Sequence, residues 1–304
     1  MSKLQMLAVN NLVKKFNTTV AVNDLSFTVK SGNIFGLLGP NGAGKTTTIR
    51  TILNIIKPSS GEIIFDGKPI TYEYYNIIGY LPEERGLYRR SKVIDVLVYF
   101  ASLKMVKRKD ASQLADIWLN KLNISNLRDK RIEQLSKGNQ QKVQLIAAII
   151  HNPRLLILDE PFTGFDPINQ QEVKDLILSF LSEGKTIILS THQMDLAEKL
   201  CEEILLINNG KEVCIGKLAE IKKRFGGNNI RLGFAGNGNH LKDFPEILKF
   251  DSYSNYTDVQ LKGNVNPSEF LKKLIEKIEV HHFSIIEPTL NKIFIDLIKE
   301  SVTR

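Results

Sequence analysis

Gly39-Pro40-Asn41-Gly42-Ala43-Gly44-Lys45-Thr46 is the stretch whose reading decides the fold. It follows Asn33-Ile34-Phe35-Gly36-Leu37-Leu38, a nearly unbroken apolar run of the kind that forms a buried parallel strand. It leads into Thr46–Asn54, which reads as a helix. The pattern G-x-x-x-x-G-K-[ST] between a strand and a helix is a phosphate-binding loop. Glycines let the backbone wrap closely around an anion with N–H groups turned inward. The helix N-terminus adds partial positive charge. Lys45 is expected to reach the β- and γ-phosphates of a nucleotide, and the Thr46 hydroxyl to bind Mg²⁺. Gly39, Asn41, Gly42, Ala43, Gly44 and Thr47 complete the expected cradle.

Further along, Leu155-Leu156-Ile157-Leu158 is an apolar strand that ends in two adjacent carboxylates, Asp159 and Glu160. Ligands of open α/β sheets bind at the carboxyl ends of strands, so the pair stands where a phosphate would be met. Asp159 is the expected Mg²⁺ ligand and Glu160 the expected general base for the attacking water. More strands follow at Thr186–Ser190 and Ile204–Ile207, separated by helices at about 168–182 and 194–200. Alternation of this kind means an α/β fold with a parallel sheet. Upstream, Leu7-Ala8-Val9, Thr18–Val22 and Phe27-Thr28-Val29 read as short strands, and residues 60–80 hold further strands. From about Ile94 to Ile150 the apolar spacing is helical.

A boundary is expected near Phe225-Gly226-Gly227-Asn228-Asn229. Beyond it the pattern gives strands at 230–234, 257–261 and 282–286 and helices at 267–279 and 289–300, a small α+β domain. The expected domains are therefore 1–225, with a helical subdomain at about 86–150, and 226–304.

The 304 residues are 42% hydrophobic and 24% charged, which allows two domains with cores of their own and excludes general disorder. The two cysteines, Cys201 and Cys214, exclude a disulfide scaffold and fit a reducing compartment. No run approaches the ~18 apolar residues that span a bilayer, and MSKLQMLAVNNLVKKF lacks the apolar stretch of a secretory signal. The expectation is a soluble, cytoplasmic protein. The formal net charge is +8, and its excess lies in one place. Arg85–Lys142 holds 14 basic and 5 acidic residues, whereas the chain from Gly227 onward holds 10 of each. Such a segment is a solvated face, a nucleic-acid surface, or a surface set beside an anionic membrane.

Leu135-Ser136-Lys137-Gly138-Asn139-Gln140-Gln141-Lys142 is, taken alone, a polar helix start with Ser136 as N-cap. Between the phosphate loop and the Asp159-Glu160 pair it resembles the signature sequence of ATP-binding cassette (ABC) ATPases. The resemblance covers roughly residues 5–225, with the expected motifs in order. It implies an ABC-type core with an N-terminal antiparallel β subdomain and a helical subdomain. It implies ATP and Mg²⁺ as cofactors and a head-to-tail pair of cassettes, a homodimer or heterodimer. Phe16 resembles the aromatic residue that stacks on adenine, and His192 the switch histidine at the γ-phosphate. Asp166, in Thr163-Gly164-Phe165-Asp166-Pro167, resembles the D-loop carboxylate that links two cassettes. Ser136, Gly138 and Asn139 would complete the site of the partner cassette. His151, His240, His281 and His282 lack such context and read as surface or packing residues.

Two departures refine the resemblance. In Ile78-Gly79-Tyr80-Leu81-Pro82-Glu83-Glu84, Glu83 stands where the family has the Q-loop glutamine, and it is a candidate metal-facing carboxylate. The signature reads Leu-Ser-Lys-Gly-Asn rather than the commoner Leu-Ser-Gly-Gly-Gln. Both variants, with Glu287-Pro288-Thr289-Leu290-Asn291-Lys292-Ile293-Phe294 in a C-terminal extension, resemble the branch paired with ABC-2-type exporter permeases. The implied protein is an ATP-hydrolysing subunit, peripheral on the inner face of the cell membrane, that energises an integral-membrane permease. The competing class is a soluble ABC ATPase acting on ribosomes or nucleic acid. The single phosphate loop and the short Lys45–Ser136 interval, without sustained heptads, speak against it. The lack of an N-K-x-D motif speaks against a GTPase, and Glu160 and His192 speak against a module that holds ATP without hydrolysing it.

Overall fold

The computed structural model describes residues 5–84, 86–225, 228–234 and 238–302. Arg85, the first residue of the basic segment, and Gly226-Gly227 of the expected boundary lie outside the described residues. The chain divides into two compact units, Met1–Ile215 and Gly216–Arg304.

In the first unit, β1 (Gln5–Phe16) and β2 (Thr19–Lys30) pair antiparallel. They are two long strands where the sequence reads as three short ones. The register shifts between Val9 and Leu12 and again between Leu12 and Lys14, which interrupts the in–out alternation. Asn11 and Asp24 take positive φ angles at this irregularity, and their side chains bond each other at 2.9 Å. Next come β3 (Ile34–Leu38), α1 (Lys45–Ile52), β4 (Ser60–Phe65), β5 (Lys68–Pro69) and, after a 3-10 turn, β6 (Ile78–Leu81). Strands β2-β1-β4-β5 form the antiparallel sheet expected of the N-terminal subdomain. The helices α2 (Val93–Leu103), α3 (Arg108–Lys121) and α4 (Lys137–Ile149) pack against one another and account for the helical segment.

The chain then runs through β7 (Leu155–Asp159), α5 (Pro167–Ser182), β8 (Thr186–Thr191), α6 (Met194–Leu200), β9 (Glu203–Asn208) and β10 (Lys211–Lys217). These complete a six-stranded sheet of order β10-β9-β3-β8-β7-β6. The pairs β6–β7, β7–β8, β3–β8 and β3–β9 are parallel. Every residue of β3, β7 and β8 is buried, as a strand covered on both faces requires. Each buried Leu or Ile there contributes roughly 1.5–3 kcal/mol of burial free energy. The register sets Leu38 beside Thr191 and Asp159 beside Ser190. Three chain segments therefore leave one edge of the sheet together: the phosphate loop, the carboxylate pair and the turn to His192.

The second unit holds α7 (Leu218–Phe225), β11 (Asn228–Phe234), β12 (Ile247–Ser252), β13 (Thr257–Leu261), α8 (Pro267–Ile275), β14 (Val280–Ile285) and α9 (Leu290–Val302). The order β12-β13-β11-β14, antiparallel throughout, is that of a split βαβ sheet in which a 3-10 turn, Gly238–Asp243, replaces the first helix. Ile230, Leu232, Val259 and Leu261 pack with Phe270 and Leu274 in its core. β12 is absent from the sequence reading because it is an edge strand with no fully buried residue, and so carries little apolar signal. The division between units falls ten residues before the boundary expected at 225/226. Helix α7 buries Leu218 and Ile221 and packs against α9, which groups it with the second unit. No helix among the described residues is long and apolar enough to cross a membrane.

Candidate active site

The phosphate loop closes around a cleft of about 330 Å³ lined by Ala21, Asn41–Thr47, Glu83 and Glu160. Two glycines make the loop possible. Gly44 has φ +105°, and a Cβ there would stand 2.5 Å from the Ala21 carbonyl oxygen. A Cβ on Gly39 would come within 2.2 Å of the Ile207 carbonyl oxygen. Lys45 opens α1 and is only 6% exposed. Its Nζ donates to the carbonyls of Gly39 at 2.8 Å and Pro40 at 3.1 Å, and lies 3.5 Å from Glu160 Oε1.

Asp159 ends β7 and is buried. Ser190 Oγ donates to its Oδ1 at 2.7 Å, and Oδ2 has no hydrogen-bonding partner. Burial pushes the Asp159 carboxyl above its ordinary range, and hydrogen bonds from Ser190 and Thr46 pull it back. Glu160 follows in the left-handed region at φ +50°, a conformation that costs a non-glycine residue about 1 kcal/mol or more. Several donors hold it there. Thr191 Oγ1 donates to Oε2 at 3.0 Å, and the His192 backbone N–H donates to Oε1 at 3.0 Å. His192 Nδ1 lies 2.8 Å from the same Oε1. The buried carboxylate is thus surrounded by donors and by one cation.

Glu83 is exposed and lines the rim of the cleft. Nearby, burial pushes the Tyr80 phenol up to about 12, and the charges of Asp159 and Glu83 add to that shift. Lys45, Thr46, Glu83, Asp159, Glu160 and His192 are therefore gathered at one site. The remaining candidates lie elsewhere. Phe16 ends β1 and is 44% exposed, with Lys14 Nζ 4.8 Å above its ring. Ser136 caps α4, its hydroxyl accepting the Asn139 N–H at 3.3 Å. Asp166 caps α5, accepting from the N–H groups of Ile168 and Asn169, each at 3.0 Å. These caps are neighbours, since a Cβ on Gly138 would lie 3.7 Å from the Phe165 ring. The Gln141 side chain also donates to the Thr163 carbonyl. Ser190 and Thr191, which bond Asp159 and Glu160, are the residues of this cluster that the sequence pattern does not single out. Their signal was available, as two hydroxyls ending an apolar strand directly before His192.

The sequence profile of the ABC transporter family matches residues 22–163, and that of the C-terminal domain of DrrA1-3-like ATP-binding proteins matches residues 216–298. The ABC transporter ATP-binding protein YhaQ of Bacillus subtilis is 40% identical over 291 residues, which span 96% of this chain and 98% of YhaQ. The chain belongs to the ABC transporter ATP-binding family. The linearmycin resistance ATP-binding protein LnrL of Bacillus subtilis is 29% identical over 304 residues, covering 96% of this chain and 98% of LnrL. A solved ATP-binding subunit of an ABC transporter superposes with a TM-score of 0.67 at 28% identity, over 72% of this chain and 93% of that one. This ABC protein is thus an ATP-binding subunit of the class that hydrolyses ATP to power transport, and such subunits partner with membrane permeases.

Proposed function

We propose that this subunit energises export through an ABC-2-type permease, working as one of two paired cassettes on the cytoplasmic face of the cell membrane. The observation that carries the reading is the Glu160 carboxylate, fixed between Thr191, His192 and Lys45 at the mouth of the phosphate loop. ATP would lie with its phosphates in the loop, where Lys45 and the loop N–H groups meet the β- and γ-phosphates. Water attacks the γ-phosphorus and the bond to the ADP oxygen breaks. Glu160 takes the proton, and His192 holds the γ-phosphate in line.

The residues present fit Mg²⁺. Asp159 keeps one buried oxygen without a partner beside the Thr46 hydroxyl, a hard donor set that leaves the other positions to water and phosphate. Thr46 and Asp159 would hold the ion, with Glu83 facing it from the rim. The ion, when bound, neutralises charge on the phosphates.

Ser136, Gly138, Asn139 and Asp166 stand away from this cleft on two linked helix starts, which supports their serving the ATP of the second cassette. The resemblance to families exporting through separate permeases, together with the LnrL likeness, supports the export assignment. Next to the Glu83 segment, an apolar groove of about 320 Å³ between Pro82, Leu87, Phe100, Leu103 and Ala147 supports permease docking there. The cassette is assigned to the first unit, with its helical subdomain at about 86–150, and an accessory domain to the second, α7 included. The test is Glu160→Gln. It should leave ATP affinity within a few-fold, reduce turnover by at least 100-fold and accumulate an ATP-bound pair of cassettes. Turnover near that of the wild type would overturn the reading.

A further inference from the structure

The C-terminal unit holds a second cleft, of about 610 Å³, between its sheet and α9. A sheet face covered by a helix is ordinarily apolar. Here the alternation along β11 puts Ile230 and Leu232 in the core and turns Asn229 and Arg231 to the cleft. The charges around it cancel in pairs. Arg231 donates twice to Asp258, at 2.7 and 2.9 Å, Lys249 donates to Asp296 at 2.7 Å, and Lys292 lies 3.8 Å from Asp251.

Among the described residues of the lining, one buried polar side chain is left over. Asn229 is 3% exposed, and neither its Nδ2 nor its Oδ1 has a hydrogen-bonding partner. A buried carboxamide with neither polar atom satisfied is destabilising, so a sequence under no other demand would place an apolar residue here. Beside it lies an aromatic platform. The Arg231 guanidinium sits 4.0 Å over the Tyr256 ring, and the Tyr253 ring lies 4.7 Å from Tyr256. Tyr253 is 55% exposed, which leaves ring surface for a further planar group.

We infer that this cleft binds a nucleobase-bearing small molecule, its base edge on Asn229 and its ring against the Tyr253–Tyr256 pair. A carboxamide offers one donor and one acceptor side by side, the complement of an adenine edge. Bases stack on aromatic side chains without needing a charged partner, which suits a lining whose charges are already paired. Asn229 and Arg231 are two residues apart on one strand face, about 7 Å, so edge and ring are met in one pose. The volume is that of an ordinary small-ligand pocket.

The experiment is calorimetric titration of the full chain with adenosine and with N6,N6-dimethyladenosine, which keeps the ring but lacks the N6 donor. Saturable adenosine binding is expected, at least 10-fold weakened in the dimethyl compound and in Tyr253→Ala, and lost in Asn229→Leu. Asn229→Leu should also raise the thermal midpoint of the ligand-free chain, because it removes two orphaned polar atoms. Equal adenosine affinity in wild type and Asn229→Leu would place the nucleoside at the cassette and overturn the inference. So would equal affinity for the two nucleosides, no saturable binding at all, or a lowered midpoint in Asn229→Leu, the mark of a carboxamide serving the fold alone.

Discussion

Thr191 Oγ1 donates to Glu160 Oε2 at 3.0 Å, and both groups are buried. The bond ties the end of β8 to the residue after β7, and it counters the left-handed backbone of Glu160. Thr191→Val keeps the shape and removes the donor. A buried carboxylate deprived of one hydrogen bond loses roughly 1–3 kcal/mol of positioning, equivalent to about 5- to 160-fold in rate. The expected outcome is a kcat lowered about 10-fold with ATP affinity within 2-fold, read by steady-state ATPase and nucleotide titration. An unchanged kcat would mean that Thr191 does not orient Glu160.

Much of this site is legible in the sequence because each part is local. The phosphate loop is a contiguous pattern, and Asp159, Glu160 and His192 announce themselves by ending apolar strands. What is not legible depends on pairing between distant strands. Ser190 matters only because the β7–β8 register sets it beside Asp159, and Thr191 only because Glu160 turns back toward it. The β1–β2 irregularity hides two long strands for the same reason, since a register shift breaks the period on which strand reading depends. Phe16, Ser136 and Asp166 have clear local patterns, yet within one chain they stay outside the cleft, as residues whose proposed partners are a nucleotide and a second cassette.

Glu83 brings a full negative charge to the rim of a cleft that already holds Glu160 and adjoins Asp159. Without a divalent ion these charges repel the ATP phosphates, and with it a carboxylate becomes a favourable hard ligand. Glu83→Gln should therefore bind metal-free ATP several-fold more tightly and need several-fold more Mg²⁺ for half-maximal hydrolysis. Mg²⁺ titrations of ATPase activity, paired with ATP binding in chelator, measure both. Superimposable titrations for the two proteins would place Glu83 outside the metal's surroundings.

Arg89 and Arg90 are exposed and follow the Glu83 segment, in the region that carries the positive excess of the chain. The neighbouring surface is aromatic, with Tyr88, Tyr99 and Phe100 in mutual ring contact. A basic residue near an anionic membrane contributes about 1 kcal/mol, an effect that salt screens. Replacing both arginines by glutamate should reduce co-sedimentation with permease-containing anionic vesicles at least 10-fold at low salt. ATP binding by the isolated chain should be unaffected. Co-sedimentation unaltered by the double substitution would remove this face from the docking surface.

His151 gives the fold an acid-sensitive point away from the nucleotide. Its Nε2 lies 3.2 Å from the Ile78 carbonyl oxygen, and its Nδ1 is buried without a partner. Lys104 Nζ donates to the same carbonyl at 3.2 Å, so a proton on the imidazole would set a second cation beside the ammonium. Burial, followed by the charge of Lys104, lowers the His151 pKa to about 4. In the unfolded chain it returns to about 6.5. Between these values the unfolded state binds more protons than the folded one, so stability rises with pH across the window. The stabilisation is complete above about 6.5 and is lost progressively as the pH falls to 4. With allowance for partial exposure, the loss is on the order of 2–3 kcal/mol. His151→Gln removes the titrating group and should flatten this part of the profile. Denaturant unfolding at pH 7.5 and pH 5.0 measures it. The wild type should lose more stability between the two pH values than the variant does, and parallel losses would show that His151 titrates normally in the folded chain.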